Sequence, residues 1–426
     1  MSRSLLLVLL IYGLVLAGLI TLRGELLVLA LPLLLYLGAS LVYRPSAVHL
    51  SVDRRLDASR VIEGQPVRVT LSITNLGAPL ENLQIGEVIP SGLRVIEGET
   101  RVVGALGADE GVELAYTVAG PRGLYGFSDV RVSAGDTFDL QTEQIVERSG
   151  GRVFVLPQVE KLSRAMIRPR RTRIFAGLVP ARRGGPGVEF FGVREYQSGD
   201  SRRWINQRVS ARFSGEIYVN EFEQERAVDI GLILDARHSA NVLGGDHSLF
   251  EKSVQATATL ADAFLTGGNR VGLFIYGGSV SWTYPGYGKV QRERILQALA
   301  RARIQQSPVF EGLDLLPARL FPIRSQLVMV SPLRVDDACD LIRLRARGYR
   351  VLLVAPDPVD AEVRLLEGRK GVEVAARIAR LERAHLNRRL AQAGVRVLEW
   401  RTEVPFQVGV GGVLAQLPLW ERGPGR

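Results

Sequence analysis

The chain has 426 residues, 46% of them hydrophobic, which is room for two or three domains with cores of their own. Its formal net charge is +10 and its lysines are Lys161, Lys252, Lys289 and Lys370 alone, so the positive charge is almost wholly arginine and suits acidic partners or anionic surfaces. A single cysteine, Cys339, excludes an internal disulfide and a cysteine-built zinc cage.

Residues 4 to 22 carry no charge, and after Arg23-Gly24-Glu25 neither do residues 26 to 43. Each run makes a helix of about 27 Å, close to the thickness of a bilayer's hydrocarbon core. Residues 1–45 are therefore expected to form a two-helix membrane hairpin. Arg3 precedes it, Arg44, Arg54 and Arg55 follow it, and Arg23 in the turn is offset by Glu25. By the positive-inside rule this predicts a multi-pass protein of the cell membrane with its soluble domains in the cytoplasm.

Residues 47–150 read as short strands separated by turn residues. In "VRVTLSITN", residues 67 to 75, the apolar Val67, Val69, Leu71 and Ile73 alternate with Arg68, Thr70, Ser72 and Thr74. About seven such strands predict an all-β, immunoglobulin-like sandwich that acts as a spacer or docking module. Residues 151–226 are expected to be a basic linker. It holds an arginine run at 168–173 and the glycine-rich "ARRGGPGVEFFG", which lacks the Lys-Ser/Thr of a phosphate loop.

From 227 to 405 the pattern changes. The apolar run "AVDIGLILD" ends on Asp235 as a buried parallel strand would. Further strands are expected at 270–276, 325–331, 350–355 and 395–400, with helices at 248–265, 290–303, 313–320, 337–347 and 372–393 between them. Alternating strands and helices predict an α/β, doubly wound sheet with its ligand sites at the carboxyl ends of the strands. Residues 406–426 form a tail.

One stretch stands apart. "REYQSGDSRRWINQRVSAR", residues 194 to 212, gathers Arg194, Arg202, Arg203, Arg208 and Arg212 around Tyr196, Asp200 and Trp204. Gly199-Asp200 suits a turn, and Asp200 can cap a helix or accept hydrogen bonds from a guanidinium. The motif or interface residues are Arg194, Tyr196, Gly199, Asp200, Arg203, Ile205, Ser210 and Arg212. A structural clamp between the linker and the α/β domain is the leading reading and a partner-binding face the second.

This stretch, with "IYVNEFEQERAVDIGLILDARHSA" after it, resembles the signature of the domain of unknown function 58 family. The family's Tyr-x-x-Gly-Asp, then Arg, Ile and Ser-Ala-Arg, precede a von Willebrand factor A-like domain. The resemblance implies that domain at 227–405, and a partner: a MoxR-type AAA+ ATPase acting with the protein on clients. Such a domain often holds a divalent cation on three loops. Here the first loop keeps Asp235 and Ser239 but has Arg237 for the first serine, the second offers Phe310 or Glu311, and the third has Pro332. Asp235 and Ser239 are thus a degenerate metal site, poor for magnesium, which needs a near-octahedral shell of oxygens. No cofactor is expected. The four histidines are scattered and no nucleophile elbow appears, so the chain is expected not to be an enzyme. The expected function is a membrane-anchored adaptor or assembly factor, with lipid, the ATPase and client proteins as partners and nucleic acid not expected. The alternative is a metal-dependent receptor of the von Willebrand A type at the membrane.

Overall fold

The computed structural model describes residues 3–42, 48–135, 142–162, 179–213, 215–226, 229–242, 248–304, 320–323 and 325–409. The chain divides into two compact units, residues 1–156 and 157–426.

The first unit opens with helices α1 (Arg3–Thr21) and α2 (Gly24–Val42), which pack as a hairpin about Leu22 and Arg23. The membrane expectation is corrected here: among the described residues no helix is long and apolar enough to cross a membrane. Each helix has 19 residues, about 28 Å against roughly 30 Å of hydrocarbon. Arg3 heads the first, and the second has Glu25 in its first turn and Pro32 inside it. The multi-pass location and the orientation drawn from it fall with the spans. One of the flanking charges that argued for that orientation has a different task, since Arg54 is 7% exposed inside the β domain.

Among the described residues that domain holds nine strands where about seven were expected. They are β1 (Leu50–Leu56), β2 (Arg60–Ile62), β3 (Val67–Asn75), β4 (Leu80–Glu87), β5 (Arg94–Gly98), β6 (Arg101–Leu106), β7 (Gly111–Ala119), β8 (Gly123–Gly135) and β9 (Thr142–Leu156). They form two sheets, ordered β1-β3-β7-β5 and β2-β9-β8-β4-β6. All pairs are antiparallel except β2 with β9. Strand β3 shows why: its Val67, Val69, Leu71 and Ile73 are all buried, and the residues between them face outward in part. With Tyr116, Val118, Ile85, Val130 and Val153 they fill the interior.

The second unit begins with a two-stranded ribbon, β10 (Val179–Glu195) and β11 (Tyr218–Arg226), where the sequence suggested a linker. The glycines explain the difference. The register of the pair shifts between Ala181 and Gly184 and again between Gly185 and Phe190, so the glycine-rich stretch is accommodated as bulges within a strand. The short helix α3 (Gln207–Ser210) lies between the two strands in sequence.

A six-stranded sheet follows. Its strands are β12 (Asp229–Ala236), β13 (Arg270–Gly277), β14 (Ser281–Gly286), β15 (Gln326–Val330), β16 (Arg350–Pro356) and β17 (Arg396–Trp400), in the order β14-β13-β12-β15-β16-β17. All neighbours are parallel except the edge strand β14. Helix α4 (Leu249–Thr266) connects β12 to β13 and packs on α5 (Gly288–Arg301). Helices α6 (Asp337–Ala346), α7 (Pro358–Leu365) and α8 (Val372–Gln392) belong to the other half. The chain leaves β12 in one direction across the sheet and leaves β15 in the other, so right-handed crossovers place α4 and α6 on opposite faces. Ile233, Phe274, Met329, Leu341, Leu353 and Leu386 form the core beneath α6 and α8. The direction reverses between β12 and β15, and doubly wound sheets carry their sites in the crevice expected at the carboxyl ends of strands at such a point. The helix expected at 313–320 and the arginine run at 168–173 lie outside the described residues, as does most of the tail.

Candidate functional site

Strand β12 ends in Asp235-Ala236, and Leu234 is paired with Val330, so Asp235 stands beside Ser331 across the mouth of that crevice. Both are wholly buried. Ser331 donates to Asp235 Oδ2 at 2.7 Å, and its hydroxyl accepts from the backbone of Leu333 at 3.0 Å. Leu333 has φ +62, a left-handed conformation uncommon for a branched residue. The bend it makes carries the chain into α6, whose first residue, Asp337, turns back toward the crevice.

Arg237 fills the space between the carboxylates. Its Nε donates to Asp235 Oδ1 at 3.0 Å, and its Nη1 to Asp337 Oδ1 at 2.8 Å. Its Nη2 donates to both, to Asp235 Oδ2 at 2.8 Å and to Asp337 Oδ2 at 2.7 Å. The guanidinium also lies over the ring of Tyr276, 5.1 Å from its centroid. Burial works against its charge, but the hydrogen bonds it donates to Asp337 and Asp235 outweigh that and raise its pKa. Burial, and then the charge of Asp235, hold the Tyr276 phenol protonated far above its ordinary range. Around the cluster, Asn241 donates to the carbonyls of Asp235 and Arg237, and Arg383 of α8 donates to that of Pro332 at 2.7 Å.

These residues do not suit a divalent cation. Magnesium takes six oxygens at about 2.1 Å, whereas the position between the two carboxylates is filled by a guanidinium whose three nitrogens all donate. Of the two residues expected to form a degenerate metal site, Asp235 is at the centre. Ser239 is not: its hydroxyl accepts from Arg334 at 3.2 Å. Pro332 occupies the place where the third-loop aspartate was sought, and Asp337, five residues on, delivers that carboxylate through the Leu333 bend. Phe310 and Glu311 lie outside the described residues.

The arginine-rich motif shares no described bond with this cluster. Gly199, at φ +110, forms the turn that lets Asp200 accept from the backbone of Gln197 at 2.8 Å. Arg194 on β10 grips both Asp200 oxygens at 2.7 Å and reaches Glu221 of β11 at 3.5 Å. The hydrogen bond from Arg194 lowers the pKa of Asp200, and the same bond raises that of Arg194. Ile205 makes an isolated bridge to Val219, and Ser210 ties to Tyr218 through its hydroxyl. Asn206, which the sequence did not single out, caps α3 and bonds Asn220. Each of these described bonds stays within the ribbon and its insertion. Tyr196, Arg203 and Arg212 take no part in them and are exposed.

Residues 192–367 match the family model described as Protein of unknown function DUF58. That stretch is similar to the DUF58 family. It contains the arginine-rich motif and strand β11 together with Asp235, Arg237, Ser331 and Asp337. Uncharacterized protein YeaD of Bacillus subtilis (strain 168) is 26% identical over 248 residues, 57% of this chain and 59% of that protein. The match thus spans under two thirds of the relative's length. Among solved structures, the CARDB domain of the PF1109 protein from Pyrococcus furiosus is 12% identical, covering 26% of this chain and 89% of its own, with a TM-score of 0.17. The cupredoxin domain of amoB from Nitrosocaldus yellowstonii is 12% identical over 30% of this chain and 99% of its own, with a TM-score of 0.19.

Proposed function

We propose that this protein is a non-enzymatic adaptor or assembly factor that works with a MoxR-type AAA+ ATPase on client proteins, and that the mouth of the β12–β15 crevice is its docking face. The observation that carries this reading is the Arg237 cluster. A general acid or base needs a group free to exchange a proton, and a nucleophile needs a base beside it. Here both carboxylates and the guanidinium are spent on one another, and Ser331 donates its hydroxyl hydrogen bond to Asp235 with no imidazole or amine described beside it. What the cluster supplies is a rigid floor beneath the loops at 237–242 and 331–337, on which a partner can dock without a bridging ion.

The test captures the ATPase, locked in its ATP-bound state, on the immobilised full chain. Retention is expected, and it should fall about tenfold in Arg334→Glu, a half-exposed arginine on the rim of the crevice. Failure to retain the ATPase would overturn the reading, as would turnover of an ester, peptide or phosphoester that Asp235→Asn abolishes. Calorimetric titration of the full chain with magnesium should show nothing tighter than millimolar, and Arg237→Ser is the variant in which tighter binding should emerge.

A further inference from the structure

The motif divides in two. Arg194, Asp200, Ile205, Asn206 and Ser210 are consumed in holding the turn and α3 against the ribbon. Arg202, Arg203, Arg208 and Arg212 are exposed, and among the described residues none of the four has a carboxylate partner. Folding spends one arginine and leaves four cations on a segment of eleven residues. That segment contains a one-turn 3-10 helix at Arg202–Trp204; Arg208 lies in α3 and Arg212 just past its end. Exposed apolar groups stand beside them: Phe213 at 54%, Ile217 at 51% and Tyr196 at 37%. Phe213 is fixed in place by its contact with the Tyr218 ring, centroids 5.4 Å apart.

We infer that Arg202, Arg203, Arg208, Arg212, Phe213 and Tyr196, exposed within one short insertion, form a single face that is a second docking site, and that it takes an acidic segment of a partner protein in which carboxylates flank apolar side chains. Charge complementarity selects the occupant's sign. Four like charges brought together cost energy unless an anion neutralises them, and planar guanidinium forks match carboxylates in bidentate geometry. The apolar neighbours select its class. Arginine with tyrosine and phenylalanine around a partly apolar centre is the composition of protein interfaces, whereas a phosphate backbone is met by cationic and polar groups. An Ile217-like aliphatic group has nothing to gain from a phosphate chain. The inference does not depend on the ATPase reading, because the crevice residues take no part in it.

The experiment measures fluorescence anisotropy of a labelled peptide of alternating glutamate and leucine, titrated with the full chain at physiological salt. Arg202→Glu/Arg203→Glu and Arg208→Glu/Arg212→Glu should each weaken binding tenfold or more. Arg377→Glu/Arg388→Glu, which reverses the same charge on the exposed face of α8, should weaken it less than threefold. The glutamine pairs at 202/203 and 208/212 serve as the second set if a reversed pair fails to fold, and should weaken binding at least threefold. Phe213→Ala should also lower affinity, without changing the salt dependence. Equal loss in the α8 control would reduce the result to net charge and overturn the proposal. A single-stranded oligonucleotide of the same charge that binds as tightly as the peptide and responds to the same variants would overturn it in favour of nucleic acid. No effect of either motif pair would leave the face without a role in docking.

Discussion

Each unit of this chain buries one arginine over an aromatic ring, and the two are treated in opposite ways. Arg237, 5.1 Å from the Tyr276 centroid, uses all three nitrogens on two aspartates. Arg54 of β1, 5.3 Å from the Phe127 centroid, makes one described hydrogen bond, from Nη2 to Glu87 Oε1 at 2.7 Å. Both of those side chains are 0% exposed, yet Arg54 Nε and Nη1, Glu87 Oε2 and the Tyr116 hydroxyl are buried without a described partner. Burying a charge costs several kcal/mol, which is recovered only when the remaining donors and acceptors are satisfied. The charged groups of the crevice cluster meet that condition, although the Tyr276 hydroxyl and Asn241 Oδ1 beside them are buried without a described partner; the charged groups of the sandwich pair do not meet it. A complete network makes a rigid platform; an incomplete one is a cost carried by the fold.

The comparison breaks most decisively at Arg237. Arg237→Ala leaves Asp235 and Asp337 buried and facing each other without a cation, so it should destabilise the second unit by about 3–5 kcal/mol. The chain's tryptophans, Trp204, Trp282, Trp400 and Trp420, all lie in that unit, so their emission during urea unfolding isolates it from the sandwich. A loss below about 1 kcal/mol would mean that the cluster is not the structural centre described here.

A backbone change should act on the same place with a smaller effect. Gly277 ends β13 at φ +153, and a Cβ there would stand 2.6 Å from the backbone of Ala236. Gly277→Ala therefore forces apart the ends of β12 and β13 next to Arg237. The expected cost is about 1–3 kcal/mol by the same tryptophan readout, and the peptide affinity of the arginine face should be unchanged.

How much of this was legible in the sequence follows from distance along the chain. The contact of Asp235 with Arg237 could be expected, because two residues at the end of a strand have little freedom to avoid each other. Asp337 could not: it is a hundred residues away, and a search by spacing after the strand stops at Pro332, while the chain reaches the site only after the Leu333 bend. The alternation of β3 and the apolar run of β12 announced their sheets. Edge strand β14, "SWTYPG", did not, since it holds a proline and buries no residue fully. Arg54 misled because a charge next to an apolar segment looks like a topological signal, and only the fold reveals that β1 turns it inward. The motif's two halves were likewise indistinguishable, because Arg194 and Arg203 differ only in whether a carboxylate comes within reach.

On the sandwich side, removing both charges should do the reverse of what removing Arg237 does. Replacing an incompletely satisfied ion pair by apolar groups of similar volume is neutral or stabilising by roughly 1–4 kcal/mol. Arg54→Met with Glu87→Leu should therefore leave the first unit as stable as before or more so, read from amide exchange in β3 and β7. Arg54→Met alone should destabilise it, because Glu87 then stays buried with no cation. If the double variant is the less stable of the two, the pair contributes more than its missing hydrogen bonds suggest, and the contrast between the units disappears.

The smallest effect is one of pH, and its sign separates the two units again. Burial raises the pKa of Glu87 above 4.5, its charge interaction and hydrogen bond with Arg54 opposing but not cancelling that. The folded sandwich then holds a proton at pH values where the unfolded chain has released it, so stability falls as pH rises from about 4.5 through the folded value. Asp200 runs the other way: its folded pKa is depressed by Arg194, so the stability it contributes is present above the ordinary carboxylate range and is lost only as pH falls through the lowered value. Between the ordinary carboxylate range and neutrality Glu87 alone of these two groups changes its contribution. Acidifying from neutrality toward that range should therefore slow amide exchange in β3 and β7 of the wild type relative to Glu87→Gln, which has no proton to gain, after correction for the intrinsic pH dependence of exchange. Identical pH profiles for the two proteins would show that Glu87 is ionised in the folded sandwich over the whole range, and that Arg54 alone suffices to hold its charge.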